Sequence, residues 1–509
     1  MLRVCTRGQT TNTSTSAHPI VKDGSHYGRK ILIYSFTTLG LYLLKFLMVP
    51  VVARNLGLEA YGIWSQISVA VDFLVPFCLL ALPDAFVRFT ADKKDRIEVA
   101  SSYYTILFTI IAVGLLISLL FFSLSTFIAR GFIRADRPVV SLVQLSALLL
   151  FFSCLSQYAT NYFRTFQREV MFSFLQLGQA AAAIFFALLF IHWGYGLFQI
   201  ILVLSLVQLA VFVIAQFFIQ REVGWRLPSL KLLQPFLYYS LPLFPFAVLD
   251  WLINVSDRYV IGYFLPITEV AKYSACYTLS MIIVLYYAPF YVFVSPKLVE
   301  LWEKKDEPTL KKVLEYSNKF PLILSIPTVF GYAIMYQEIL RMITGGNVEV
   351  SPWIIPSICM GYVFYYIGWY HVQVFILVKR TKFTTIGYVI AAFINLAGNI
   401  ALVPLIGIAG AAFSTMITFL AQMIYYIFRS RKFYDIQLKW DFLWKILASS
   451  FIMLFSLILT KPFLLPLGDL GFVFLSIAVG AGTYFICILM MGVLKTEEIK
   501  LMKSLILAG

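Results

Sequence analysis

The sequence predicts an all-α polytopic membrane protein with about fourteen transmembrane helices. Three observations predict it. Of 509 residues, 61% are hydrophobic and only 13% charged, against roughly a quarter charged in soluble domains; the mean hydropathy is +0.85. The apolar residues fall in runs of about 20 to 28, the length that crosses a hydrocarbon core. Short basic clusters stand at nearly every second junction between the runs. Runs this long lack the two-residue alternation of a barrel strand, so the spans are helices.

Residues 1–29 are polar, rich in Ser and Thr, and lead into Arg29-Lys30. A signal peptide would have a short apolar core and a small-residue cleavage site, so this segment reads as a disordered cytoplasmic tail. The spans begin near 31, 60, 99, 139, 170, 196, 234, 268, 313, 352, 383, 408, 441 and 469. Basic junctions carry Arg88, Lys93, Lys94 and Arg96; Arg164 and Arg168; Arg221, Arg226 and Lys231; and Lys304, Lys305, Lys311 and Lys312. They continue with Lys379, Arg380 and Lys382; Arg429, Arg431, Lys432 and Lys439; and Lys495, Lys500 and Lys503. The alternate junctions His192 to Gly196 and Leu405 to Gly410 have no Lys or Arg. By the positive-inside rule both ends of the chain lie on the cytoplasmic side of the cell membrane. One outer junction, with Arg130, Arg134 and Arg137, departs from the pattern.

The net charge of +15 is spread between the spans and does not form the single basic face of a nucleic-acid binder. The six cysteines, Cys5, Cys78, Cys154, Cys276, Cys359 and Cys487, have neither metal-ligand nor disulfide-framework spacing and read as small apolar residues. No loop is long enough for a soluble catalytic domain. No DxD, HExxH, P-loop or Gly-rich nucleotide fingerprint is present, which argues against an envelope enzyme and an ATP-driven pump within this chain. Transport remains.

The chain repeats itself with an offset of about 210 residues. Ala53-Arg54-Asn55-Leu56-Gly57-Leu58-Glu59-Ala60-Tyr61-Gly62 after the first span answers Gly262-Tyr263-Phe264-Leu265 and Glu269-Val270-Ala271-Lys272-Tyr273-Ser274 after the seventh. Arg164-Thr165-Phe166-Gln167-Arg168 answers Val378-Lys379-Arg380-Thr381-Lys382, and Trp193-Gly194-Tyr195-Gly196 answers Ile406-Gly407-Ile408-Ala409-Gly410. An even number of spans separates the copies, so both insert the same way up, about an axis along the membrane normal. The expected organisation is a tail (1–29), two six-helix lobes (30–225 and 226–435), and two further helices with a short cytoplasmic tail (436–509).

Three segments carry a family resemblance: Ala53-Arg54-Asn55-Leu56-Gly57 with Tyr61-Gly62; Asp257-Arg258-Tyr259-Val260-Ile261-Gly262 with Lys272-Tyr273-Ser274-Ala275; and Asn395, Asn399, Pro404, Gly407 and Gly410-Ala411-Ala412. Over residues 30 to 435 the chain resembles the polysaccharide-transporter family of O-antigen and exopolysaccharide flippases. That family shares a superfamily with multidrug-extrusion proteins and lipid II flippases. The resemblance implies two lobes around a central cavity, alternating access, and no ATP hydrolysis.

Independently of family, an ionisable side chain placed mid-span costs roughly 2.5 to 3.5 kcal/mol unless it faces protein or water. Lys45, Asp72, Asp250 and His371 are such positions, with Arg54, Asp84, Arg88, Asp257, Arg258, Lys272, Lys297, Lys319 and Arg341 nearer span ends. Interfacial snorkelling is the ordinary account of the end positions. Asp250, Asn254 and Asp257 are spaced i, i+4, i+7 on one helical face, after Pro242 and Pro245, which disturb the helix. This stripe is either a cavity wall, with a candidate Na⁺ or H⁺ site, or a structural arrangement in which Asp257 pairs with Arg258.

A polyprenyl-diphosphate cargo needs cations in the lumen, and Lys45, Arg54, Arg88, Arg258 and Lys272 are the candidates for its phosphates. Asp72, Asp250, Asn254, Asp257 and His371 are the candidates for ion coupling or cavity lining; no catalytic residue, metal site or cofactor is expected. The expected activity is a flippase moving a polyprenyl-(di)phosphate-linked oligosaccharide across the cytoplasmic membrane for surface-glycan assembly. Its partners would be that lipid-linked glycan, membrane lipids and the polysaccharide assembly machinery, with no nucleic acid. The alternative is a cation-coupled multidrug or small-molecule exporter, which would favour an acidic, aromatic lumen.

Overall fold

The computed structural model describes residues 24–493 except 94, 134–136, 347, 435 and 437–439. Among these, every regular element is helical. The first half comprises α1 (Gly24–Leu56), α2 (Leu58–Leu79), α3 (Leu82–Thr90), α4 (Arg96–Ser123), α5 (Ser125–Ile128), α6 (Arg137–Thr165), α7 (Glu169–His192) and α8 (Leu197–Val223). The second comprises α9 (Leu230–Ser240), α10 (Phe244–Asn254), α11 (Asp257–Phe264), α12 (Ile267–Ser280), α13 (Ile282–Glu303), α14 (Glu307–Thr344), α15 (Ile354–Leu377), α16 (Lys382–Ile406) and α17 (Ile408–Ser430). A final pair follows, α18 (Trp440–Leu464) and α19 (Gly468–Met490). The expected N-terminal tail lies outside the described residues up to 23, and Gly24 to Arg29 already belong to α1. Of the exceptional outer junction, Arg134 and the side chain of Arg137 also lie outside them, while Arg130 is exposed.

Eleven stretches of the described residues are long and apolar enough to cross a membrane, or up to twelve if the bent pair Lys231–Ser240 and Phe244–Asn254 is one span. The expectation of fourteen is higher for two reasons. α15 carries Tyr362, Tyr365, Tyr366, Tyr370 and His371, which lower its apolarity although it is 24 residues long and largely buried. The stretch Asp441–Met490 counts once, yet it contains both α18 and α19.

Local chemistry sets the breaks. Gly57, with φ of 89°, turns the chain between α1 and α2 in a conformation that side-chain-bearing residues avoid. Asp95 caps α4 by accepting the Ile97 N–H at 2.9 Å, and Asp306 caps α14 by accepting that of Thr309 at 3.2 Å. Glu300 lies between Lys297 and Lys304, whose hydrogen bonds at 2.9 and 2.6 Å hold its carboxyl below the ordinary range. The expected seventh span is three short helices, α9, α10 and α11. Pro242 and Pro245 lie at the first break, where α9 and α10 meet at 44°.

Two large hydrophobic cores organise the molecule. One is built from residues 67 to 236. The other runs from Ile253 to Val493 and takes in Val49, Val52, Ala53 and Tyr61 from the adjoining ends of α1 and α2. The halves therefore meet at that end, where α2 packs on α12. Gly62 makes this approach feasible, since a Cβ there would stand 2.4 Å from the Ile267 carbonyl oxygen. α10 lies between the halves, against α2 on one side and α16 on the other.

Candidate functional site

The polar residues gather where α2, α10, α11 and α12 meet. α11 starts with Asp257, fully buried, and Arg258, 9% exposed. The Arg258 guanidinium donates to Asp257 Oδ1 at 3.0 Å and to the Asn254 carbonyl at 3.2 Å. The backbone N–H of Arg258 donates to the same carboxylate oxygen at 2.8 Å, and the Tyr273 hydroxyl donates to Oδ2 at 2.5 Å. The guanidinium lies 4.2 Å from the centre of the Tyr277 ring, a cation–π distance. Tyr277 and Tyr362 share a hydroxyl hydrogen bond of 2.6 Å. Two buried charges are thus paired and hydrogen-bonded, the condition under which burial is tolerated.

This unit is tied to the first half. Gln66 Nε2 donates to the Arg258 carbonyl at 2.7 Å, and Ser65 and Ser274 hydroxyls lie 2.6 Å apart. Ser65 and Ser274 are 209 positions apart, matching the repeat offset read from the sequence.

Asp72 on α2 lies within electrostatic reach of Lys45 and Arg258. Its side chain is exposed although protein surrounds it on most sides. Lys45 is also exposed. Counted from Gly57, both sit about 20 Å along their helices, at a common depth. Asp250 is half-buried on α10, where Asn254 Nδ2 donates to its Oδ1 at 3.2 Å. It acts electrostatically on Tyr277 and Tyr388.

Of the expected site residues, the structure brings Lys45, Asp72, Arg258 and Asp257 into one neighbourhood, continued along the α10–α11 segment by Asn254 and Asp250. The others lie apart. Arg54 packs its side chain over Gly345 at the end of α14. Arg88 is exposed on the short helix α3. Lys272 is paired with Glu269 at 2.6 Å. His371 is buried between α15 and α17, its Nδ1 2.8 Å from the Ser430 hydroxyl.

Sequence reasoning centred on charge overlooked Ser65, Gln66, Tyr273 and Tyr277. The i, i+4 spacing of the two tyrosines on α12 was a usable signal. A further buried polar group joins α16 and α17. Asn399 donates to Asn395 Oδ1 at 2.9 Å and Ser414 to the Asn395 carbonyl at 3.0 Å. Among the described residues, Asn395 Nδ2, Asn399 Oδ1, Thr415 Oγ1 and Thr418 Oγ1 have no hydrogen-bond partner. The three neutral oxygens among them, on Asn399, Thr415 and Thr418, suit a hard cation, whereas no cluster of three or more His, Cys, Asp or Glu with metal-binding geometry occurs among the described residues.

Comparison with known proteins follows the same lines. The family model for polysaccharide biosynthesis proteins matches residues 27–302, more than half of the 509. A probable low-salt glycan biosynthesis flippase of Haloferax volcanii is 21% identical over 226 residues, covering 44% of this chain and 48% of that protein. The chain therefore spans about half the length of the curated relative it matches. Among solved structures, the lipid II flippase MurJ in an inward closed conformation superposes with a TM-score of 0.73 at 18% identity, over 90% of this chain and 98% of that one. An inward-facing multidrug resistance MATE family transporter of the MOP superfamily gives 0.62 at 13% identity, over 77% and 93%. At these identities the structural likeness shows the fold alone.

Proposed function

The chain belongs to the polysaccharide biosynthesis protein family, and from that membership we propose that it is a flippase for a polyprenyl-(di)phosphate-linked oligosaccharide. It acts in the cytoplasmic membrane with both termini on the cytoplasmic side, and it moves cargo by alternating access of its two halves without covalent chemistry. The polysaccharide assembly machinery supplies the cargo on one face and consumes it on the other. The observation that carries this reading is an exposed Lys45 and an exposed Asp72 within electrostatic reach of each other, with Arg258 also in reach of Asp72. A diphosphate crossing the membrane needs its charge met by cations away from lipid, and Lys45 offers an exposed one at that depth. Arg258 acts mainly as the partner of Asp257 and shapes the wall. Ion coupling is assigned to the unpartnered neutral oxygens of Asn399, Thr415 and Thr418 for Na⁺, or to Asp250 for H⁺.

Deletion of the gene tests the function: lipid-linked glycan should accumulate on the cytoplasmic face. Intact surface glycan together with drug hypersensitivity would instead establish the exporter, a second reading supported by Asp250 among tyrosines. Lys45→Ala should lower flipping about tenfold or more, the size expected for losing one charge-assisted contact of roughly 1.5–3 kcal/mol. Wild-type flipping at equal protein level would remove Lys45 from the cargo path. Liposomes with imposed Na⁺ or H⁺ gradients decide the coupling ion.

A further inference from the structure

The same interior has a second wall of different chemistry. α10 places Phe246, Asp250 and Asn254 at i, i+4 and i+8, so the three share one helical face. Asp250 sits too deep in its span to face lipid, so this face looks onto protein or an enclosed space. Phe246 keeps 39% of its surface exposed and shares that helical face with Asp250. Opposite stands Tyr388 of α16, whose ring centre lies 4.3 Å from that of Phe246 and whose hydroxyl is 3.2 Å from that of Tyr365. An open aromatic ring beside a carboxylate and an amide is the combination that grips a sugar. The ring takes the apolar C–H face of a pyranose, and the polar groups take its hydroxyls.

We propose that Phe246, Asp250 and Asn254 form the glycan subsite of the transporter, separate from the charge subsite at Lys45 and Asp72. The assignment rests on the flippase reading and names which part of the cargo each wall holds. The sugar nearest the diphosphate lies on Phe246, with hydroxyls donated to Asp250 Oδ2 and to Asn254 Oδ1, since Asn254 Nδ2 already donates to the Asp250 carbonyl and Oδ1. A cage for an organic cation would turn several ring faces to its guest. Here Phe246 is the open ring, while Tyr388 and Tyr362 are 9% and 6% exposed and their hydroxyls are tied to neighbouring tyrosines.

The test uses full-length protein in nanodiscs and two probes, undecaprenyl diphosphate and undecaprenyl-diphosphate-N-acetylglucosamine. Wild type should bind the sugar-bearing lipid about tenfold more tightly, the size of one or two good polar contacts. Phe246→Leu, which keeps the bulk of the side chain, and Asp250→Asn should each lose that gain and keep their affinity for undecaprenyl diphosphate. Lys45→Ala should weaken both lipids alike. The subsite is overturned if wild type binds the two lipids equally, or if both wall variants keep the sugar's gain. It is also overturned if they lose binding of tetraphenylphosphonium with the gain intact. Failure of wild type to bind either lipid would instead overturn the flippase reading, and the subsite with it.

Discussion

Asp257 and Arg258 show how a single pair of residues resolves two readings of the same letters. As charges near the end of an apolar span they qualify equally as cargo contacts or as partners for each other. Three hydrogen bonds to the Asp257 carboxylate and a tyrosine ring under the guanidinium make them partners. Removing one member leaves the other buried and uncompensated, a loss of about 3–5 kcal/mol. Asp257→Asn and Arg258→Ala should therefore each lower the denaturation midpoint of the purified protein strongly. A midpoint unchanged within error in both variants would mean the pair is not structural. Their adjacency was legible in the sequence. Of the tyrosines that complete the arrangement only the i, i+4 spacing of Tyr273 and Tyr277 was visible; that they serve this pair was not, because their partners lie on a different helix.

Among the elements, α14 has the clearest structural task. At 38 residues it is about 57 Å long, more than a bilayer core requires, and it fastens the C-terminal pair at three heights. Lys319 Nζ donates to the Val493 carbonyl just beyond α19 at 2.6 Å, and the Tyr484 hydroxyl donates to the Ile323 carbonyl at 2.7 Å. Arg341 pairs with Asp469 at the start of α19 at 2.7 Å, while Glu338, 3% exposed, lies 3.8 Å from both Arg341 and Lys461. Arg341→Met should cost about 1–3 kcal/mol locally and raise amide hydrogen exchange in α18 and α19 more than in α15 to α17. Equal increases in both groups, or none, would sink the idea that α14 holds this pair. The sequence marked Lys319 and Arg341 only as charges near span ends. Snorkelling was a sufficient account there, since nothing in a linear pattern shows that α19 returns beside α14.

For the whole molecule, the contact between Ser65 and Ser274 matters most. It joins positions 209 apart on α2 and α12, where the ends of α1 and α2 enter the second core. A machine whose halves rock apart at this end must break that contact and the one between Gln66 and the Arg258 carbonyl. Ser65→Cys with Ser274→Cys, in a cysteine-free background, should cross-link under mild oxidation, since the hydroxyls stand 2.6 Å apart. The cross-linked protein should stop flipping and recover on reduction. Full activity while cross-linked would show that this end stays closed throughout transport.

The linear sequence by itself determined the class of molecule: helices, a bilayer and a repeat near 210 residues. Long apolar runs leave the backbone no other way to satisfy its hydrogen bonds in lipid. It also marked Lys45, Asp72, Asp250 and His371 as costly mid-span positions, because the solvation penalty of a charge depends chiefly on depth. Only the tertiary structure decided which charges are spent on each other and which remain open to a guest. Burial and pairing are properties of neighbours from distant parts of the chain. Lys45 and Arg258 are both cations of apolar spans on paper, one mid-span and one nearer a span end; the fold gives Arg258 a carboxylate, a carbonyl and a ring, and leaves Lys45 exposed beside Asp72.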